Sequence, residues 1–162
     1  MRNKADKLVI ENAKIIFRNF SGKETKFNRA GNRNFCVIIE DSTKAKQLEE
    51  IGWNVKTLKP RDEDDEPRYY ISVTVNYNKD HKMTICMITR KKKTFLDEDT
   101  VGTLDYADIS NVDLTINPSY WSVGGKSGIK AYLYSMWVTI EEDAFADKYA
   151  EEEFPNDEIP LF

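Results

Sequence analysis

The sequence predicts an all-β fold: a single small barrel of five to six strands with one short helix and a disordered acidic C-terminal tail. Three observations lead to this fold class. Most apolar residues fall in strand-like runs, and only one segment has helical spacing. The strands are long for their small number, which favours closure into a barrel. The 162 residues fit one domain with a core that needs no disulfides.

The first part of the chain predicts two strands, a basic loop and the single helix. Leu8–Phe20 is rich in β-branched and aromatic residues, which predicts one long, bent strand. The polar segment Ser21–Arg33 predicts a loop, and the nearly all-apolar Asn34–Glu40 predicts a buried second strand. Ser42 is a suitable cap for a short helix over Thr43–Ile51, whose apolar residues share one face.

The middle of the chain predicts a hairpin. Trp53–Leu58 has an extended pattern, and five consecutive acids over 62–66 form a solvated loop between two prolines. Tyr69–Tyr77 alternates between apolar and polar residues, which is typical of a half-buried strand. A turn over 78–81 joins it to Met83–Arg90, so we expect these two segments to pair.

The last part of the chain predicts two more strands. Ile109–Asn117 is one of them, and Pro118 is expected to end it. Gly128–Ile140 is the other. Its apolar residues stand at odd positions up to Leu133 and at even positions from Met136, which implies a bulge near Ser135. We therefore expect one folded domain over 1–142 and a flexible tail over 143–162.

The net charge of −4 is unevenly distributed along the chain. Residues 141–162 contain nine acids and one base, a net charge of −8, so residues 1–140 have a net charge of +4. Without the acidic loop over 62–66, that body stands at +9. A basic body with an acidic tail favours a polyanionic partner for the body.

The composition argues against the common catalytic sites. His81 is the only histidine and Cys36 and Cys86 are the only cysteines, which disfavours nucleophilic triads and zinc sites. The acids that a magnesium-dependent nuclease would need are spread along one polar segment: Asp97, Asp99, Asp105 and Asp108. We expect no catalytic residue, metal or cofactor, no membrane span, and a reducing cytoplasm as the location.

Basic residues interleaved with aromatic ones are the main functional pattern of the body. This combination binds single-stranded nucleic acids, because cations follow the phosphates and ring faces stack on bases. In the most specific cluster, Tyr120 and Trp121 precede a glycine-rich turn, and Lys130, Tyr132 and Tyr134 alternate with apolar residues. A hairpin there would place these side chains together on an exposed face. Three other aromatic residues are expected in the core: Phe17, Phe35 and Tyr77.

The end of the chain combines acids with an apolar tip. Residues 151–162 are acidic, contain two prolines and have no strand or helix period, which predicts disorder. Such a tip fits an apolar pocket whose basic rim holds the acids. The residues that we expect to bind a protein partner are Asp157, Glu158, Ile159, Pro160, Leu161 and Phe162.

This tip resembles the end of bacterial and bacteriophage single-stranded DNA-binding proteins, which is acidic and then Ile-Pro-Phe, with Leu161 inserted here before the last residue. The body resembles the phage-type proteins of this family in Gly52–Val55, Pro118–Trp121 and Gly125–Leu133. The resemblance implies an OB-fold that binds single-stranded DNA without sequence preference during replication or recombination. It also implies that the tail recruits replication or recombination proteins, such as a polymerase, helicase or primase, recombinase or nuclease.

The expected DNA contacts combine the basic-aromatic clusters with nearby cations and rings. They are Arg18, Phe20, Lys26, Phe27, Arg29, Arg33, Trp53, Lys56, Tyr70, Lys79, Arg90, Lys91, Lys92, Lys93, Phe95, Tyr120, Trp121, Lys126, Lys130, Tyr132 and Tyr134.

Two other functions stay open from the sequence. One is a recombination accessory that anneals complementary strands, and the other is a β-rich protein-interaction module that binds no nucleic acid. The sequence leaves the oligomeric state open between monomer and dimer. A phage origin would place the protein in the cytoplasm of a bacterial host.

Overall fold

A computed structural model of the chain describes residues 6–78, 82–90 and 92–142. The predicted tail over 143–162 lies outside the described residues, so its disorder and the domain boundary stay predictions. Within the described ranges, nine strands form a single sheet. The strands are β1 Leu8–Ile10, β2 Ile15–Asn19, β3 Arg33–Ile39, β4 Val55–Leu58, β5 Arg68–Val75, β6 Thr84–Ile88, β7 Lys93–Phe95, β8 Ile109–Val123 and β9 Lys126–Ile140. The helices are α1 Ser42–Ile51 and a 3₁₀ helix over Val101–Asp105.

The sheet curls around one core. Its main path runs β1-β8-β9-β5-β3-β2, while β4 pairs with β5, and β6 pairs with β9 and β7. The strands at the two ends of this path, β1 and β2, are separated by only four residues of the chain. Between them, the Ala13 amide donates to the Val112 carbonyl at 2.7 Å, and the Lys14 carbonyl accepts from the Ile38 amide at 2.9 Å. The β-rich class with one short α-helix is confirmed, and three strands lie off the six-stranded path.

The helix begins one residue earlier than predicted. Asp41, rather than Ser42, is the N-cap, and its carboxylate accepts hydrogen bonds from the amides of Thr43 and Lys44. Gly52 ends the helix as predicted, with φ at 126°, a conformation that favours glycine. Ala45 and Leu48 are buried against the sheet, but Ile51 is 55% exposed, so the predicted apolar face is shorter.

Three predictions about the strands are wrong. The long first strand is two strands, because the chain breaks at Asn12, where φ is positive. The β5 and β6 segments do not form a hairpin, since each pairs in parallel with a different part of β9, next to Ala131 and next to Met136. Pro118 lies inside β8, which continues to Val123. Beyond Ile116 that strand pairs only with β9, so a residue without an N–H is tolerated at its free edge.

The predicted bulge in the last strand is confirmed. On β8, Thr115 lies opposite Ser135 and Ile116 lies opposite Leu133, so Tyr134 is the extra residue of β9. The bulge keeps apolar residues facing the core on both sides of it, with Leu133 and Met136 both buried.

Phe20 and Trp53 were predicted to contact DNA, and the structure places both in the core. Phe20 is fully buried and stacks on Phe35, with ring centroids 5.2 Å apart and planes at 23°. Trp53 is 3% exposed and forms a bridge to Ile129. Neither ring has a free face for a base, so both predictions are corrected.

The core position of Phe20 gives a testable contrast with Phe27, which is 99% exposed nearby in the same loop. We expect Phe20→Ala to lower the free energy of unfolding by about 3–5 kcal/mol, since it leaves a cavity. We expect Phe27→Ala to change it by less than about 0.5 kcal/mol. Urea unfolding of both variants measures this difference, and equal effects would show that Phe20 is not a core residue.

Candidate nucleic-acid interface

The outer face of the sheet, the side away from the core, carries polar and aromatic side chains on β5 and its neighbours. Along β5, Tyr70, Ser72 and Thr74 alternate with buried apolar residues. Their partners are Lys56 on β4, which lies opposite Tyr70, and Tyr132 on β9, which lies beside Thr74. Side chains alternate between the two faces of a strand, so three predicted DNA contacts, Lys56, Tyr70 and Tyr132, lie on the same face of the sheet.

Two hollows lie along this face, and Ser72 lines both. The first, the loop hollow, has a volume of about 450 Å³ and lies against the loop over 20–33; its lining includes Phe17, Lys23, Phe27, Asn34 and Tyr106. The second, the hairpin hollow, has a volume of about 270 Å³ and lies against the β8–β9 hairpin; its lining includes Asn54, Lys56, Thr74, Trp121 and Lys130. Together they form one groove, which we name the β5 groove.

The predicted β8–β9 hairpin forms, and its face with Trp121 and Lys130 is one wall of the groove. Tyr120 was predicted on this same face, but it lies on the other side of the hairpin, because it is opposite the core residue Ile129. Tyr120 and Trp121 are each 44% exposed, and Trp121 lies opposite Gly128. An added Cβ at Gly128 would lie 3.0–3.1 Å from atoms of the Trp121 ring, so the absence of a side chain at 128 lets the ring lie across the strand. Exposed Lys126 and Lys130 add positive charge, and the Lys130 ammonium is 5.2 Å from the Tyr132 ring centroid.

The loop over 20–33 forms the other wall and is ordered by its own hydrogen bonds. The backbone groups of Thr25 and Asn28 bond to each other, which leaves Lys26 and Phe27 at the tip of a tight turn. The Asn28 side-chain amide donates to the carbonyls of Lys23 and Asn32, each at 2.9 Å. The loop therefore presents Lys26, Phe27 and the exposed Arg29 from a fixed frame.

The 3₁₀ helix fixes the base of this loop. The Asp105 carboxylate accepts hydrogen bonds from the Phe20 amide at 2.5 Å and from the Ser21 hydroxyl at 2.6 Å. The Arg18 guanidinium, predicted to contact DNA, donates to the carbonyls of Leu104 and Ala107 at 2.9 and 2.8 Å. These two hydrogen bonds give Arg18 a structural role, although its side chain also lines the loop hollow.

Arg33 was also predicted to contact DNA, but its side chain makes contacts within the protein instead. Its guanidinium lies 5.8 Å from the Tyr77 ring centroid and donates to the Glu98 carbonyl at 3.4 Å. Burial raises the pKa of Tyr77 to about 12, against the opposing effect of the Arg33 charge. Tyr77 itself packs against the core, as the sequence predicted, and its hydroxyl donates to the Leu96 carbonyl.

Sequence reasoning missed two aromatic residues of the groove. Phe17 was expected in the core, but it is 60% exposed and contacts Tyr70 edge-on, with ring centroids 6.0 Å apart. A register shift between Ile16 and Asn19, with a φ of 51° at Phe17, turns this ring outward, and no residue type marks that bulge. Tyr106 is 74% exposed, and its hydroxyl is a hydrogen-bond partner of the Lys23 ammonium.

Cys36 lies on the same face, opposite Ser72 on the neighbouring strand. Burial raises the pKa of the Cys36 thiol, although a hydrogen bond with Ser72 and the Lys56 charge oppose the shift. A raised pKa keeps the thiol protonated at neutral pH, which disfavours a nucleophilic role for Cys36.

The remaining predicted contacts lie outside this groove or outside the described residues. Lys92, Lys93 and Phe95 lie on the β6–β7 hairpin, where Phe95 is 66% exposed. The Arg90 guanidinium forms an ion pair with Glu142 at 3.6 Å, at the end of β9. Tyr134 is 39% exposed on β9, with the Lys7 ammonium 3.8 Å from its ring centroid. Lys79, Lys91 and the tip over 157–162 lie outside the described residues.

Two general features of the described residues complete the site. No group of three or more histidine, cysteine, aspartate or glutamate side chains among them is arranged to hold a metal ion. No helix in the described ranges has both the length and the apolar character needed to span a membrane.

The fold and the groove define a β-rich protein whose curved sheet carries cationic and aromatic side chains on its outer face. A family model for a phage ssDNA-binding domain matches residues 1–161, and the chain belongs to this family. A search among curated proteins finds no matching relative.

Two solved structures share the fold. The chain is similar to the single-stranded DNA-binding protein from bacteriophage Enc34, with 11% identity, a TM-score of 0.52, and coverage of 88% of this chain and 89% of that one. It is also similar to that protein in complex with ssDNA, with 12% identity, a TM-score of 0.54, and coverage of 86% and 89%.

Proposed function

We propose that the protein binds single-stranded DNA without sequence preference across the β5 groove, and that it acts in phage DNA replication or recombination. The observation that carries this proposal is the position of cations and exposed rings on both walls of one groove, in a chain of the phage ssDNA-binding domain family. Stacking on rings and contact with phosphates require no base-specific hydrogen bonds, which is why such a groove tolerates any sequence.

Each wall supplies both kinds of contact. The hairpin wall has the Trp121 ring beside Lys130, and the loop wall has Phe27 beside Lys26. A strand that spans the groove would meet six lysine and arginine side chains on the walls and floor: Lys23, Lys26, Arg29, Lys56, Lys126 and Lys130. Stacking on these rings needs unpaired bases, which a single strand offers and a duplex does not.

The test of this proposal is a titration with labelled oligo(dT) and with duplex DNA of equal length over a range of salt concentrations. We expect tighter binding to the single strand, with a log–log salt slope of about −4 if each of the six cations contacts one phosphate. Trp121→Ala should weaken binding by about 1–3 kcal/mol, as expected for the loss of one stacked base. Val123→Ala, at a 72% exposed position in the same hairpin, is the matched control and should have no effect.

Equal affinity for duplex DNA, or an affinity that does not depend on salt, would contradict the proposal. A Trp121→Ala protein that unfolds at a much lower temperature than the parent would show that this ring supports the fold rather than the bound strand.

We propose in addition that the tip over 157–162 recruits a replication or recombination protein. The tail is anionic and tethered to the domain, so it competes with DNA for the same cations at a high effective concentration. The apolar residues at the end add nothing to that competition, and they suit an apolar pocket of another protein. DNA in the groove would release the tail and make the tip available to its partner.

Truncation to residues 1–156 tests this second proposal, with Phe162→Ala as the conservative variant. We expect the truncated chain to bind oligo(dT) at least as tightly as the full chain, with any difference shrinking at high salt because the charges are screened. Phe162→Ala keeps every charge, so its DNA affinity should equal that of the full chain. Both should lose capture of a purified replication protein that the full chain retains. Weaker DNA binding by the truncated chain, or unchanged capture by both variants, would overturn the proposal.

A further inference from the structure

Beyond Tyr132, the outer face of β9 carries exposed rings that the β5 groove does not use. Tyr134 is 39% exposed and Trp137 is 38% exposed. The bulge at Tyr134 keeps the core residues inward, so Trp137 is on the same side of the sheet as Tyr132. Two further exposed rings on one strand are not explained by packing of the core.

Trp137 belongs to a short row across three strands. It lies opposite Cys86 on β6, which in turn lies opposite Phe95 on β7. The Phe95 and Trp137 rings meet edge-on above the buried Cys86, with centroids 6.3 Å apart and planes at 71°. Phe95 is 66% exposed, so the pair forms an aromatic ridge with a large accessible surface.

Among the described residues, no strand lies between this ridge and the β5 groove. On one edge of β9, β5 ends beside Tyr132, and β6 begins beside Ser135. A third hollow, of about 460 Å³, lies in between and is lined by Asn76, Lys82, Ser119, Tyr132 and Tyr134 among others. The aromatic positions along β9 therefore continue from the hairpin hollow to the ridge.

The charges around the ridge favour a polyanion. Lys82, Lys92 and Lys93 are exposed on or next to the β6–β7 hairpin. Asp113 lies opposite Trp137 and accepts hydrogen bonds from the Asn12 amide and the Asn111 side chain, and Glu142 forms an ion pair with Arg90. The positive charges available to a phosphate backbone beside the ridge are therefore those of Lys82, Lys92 and Lys93.

We infer that single-stranded DNA leaving the β5 groove continues along β9 and stacks on Trp137 and Phe95. This inference rests on the proposed function and extends it, because the ridge is a second set of base contacts that only longer strands reach. Tyr132 and Trp137 are five positions apart along β9, which is about 16 Å of extended chain. The bound length therefore exceeds what the groove alone accommodates.

Oligo(dT) of two lengths separates the ridge from the groove. The short one has about 6 nucleotides, near the lower end of the roughly 4–16 nucleotides that one OB-fold covers, and the long one has about 20, above the upper end. We expect Phe95→Ala to weaken binding of the long strand roughly 5- to 150-fold and to leave the short strand unchanged, as loss of one stacked base implies. Trp121→Ala should weaken binding of both strands.

Lys93→Glu, at an exposed position on β7, is the second variant and should show the same length dependence if Phe95→Ala does not fold. An equal effect on both lengths, or no effect on either, would overturn the inference while leaving the groove intact. Tighter binding of the long strand by Phe95→Ala would also overturn it, because the ridge would then hold the anionic tail instead of DNA. Absence of any DNA binding by the parent chain would show that the proposed function itself is wrong.

Discussion

The pairing of β9 is the constraint on which the rest of the structure depends. This 15-residue strand pairs along one edge with β8, and its other edge holds β5 and then β6. The bulge at Tyr134 lies between those two partners and keeps Leu133 and Met136 in the core. Because side chains alternate, the same register places Lys130, Tyr132 and Trp137 on the outer face. The core and the binding face are therefore two consequences of one set of strand pairings.

Both walls of the β5 groove are ordered before any ligand binds. The hairpin wall continues the β8–β9 ladder past the core, and Gly128 gives the Trp121 ring room to lie across it. The loop wall is held from inside by Asn28 and from below by Asp105. Preformed walls lower the ordering cost of association, so cations and rings at these positions contribute more to affinity than they would on mobile loops.

The sequence predicted the parts of the site that follow from local alternation. The spacing of apolar residues shows which side of a strand is buried. It therefore predicted both the outward-facing residues 130, 132 and 134 and the bulge near Ser135. Apolar spacing gave the wrong side of the sheet for Phe17 and Phe20. One extra residue in β2 turns Phe17 outward and Phe20 into the core. Sequence reasoning also gave the wrong pairing for β5 and β6. These strands are neighbours in sequence, but both pair with the longer strand β9 instead of with each other.

The β5 groove implies a path for single-stranded DNA across the face between the loop over 20–33 and the β8–β9 hairpin. This path can be mapped by photocrosslinking with oligo(dT) that contains photoreactive thymidine analogues, followed by mass spectrometry of the crosslinked peptides. We expect crosslinks to Phe17, Phe27, Trp121 and Tyr132, on both walls and on the strands between them, since aromatic rings in contact with bases lie within reach of the reactive group. Crosslinks confined to α1 and the acidic loop over 62–66, with none in the groove, would contradict it.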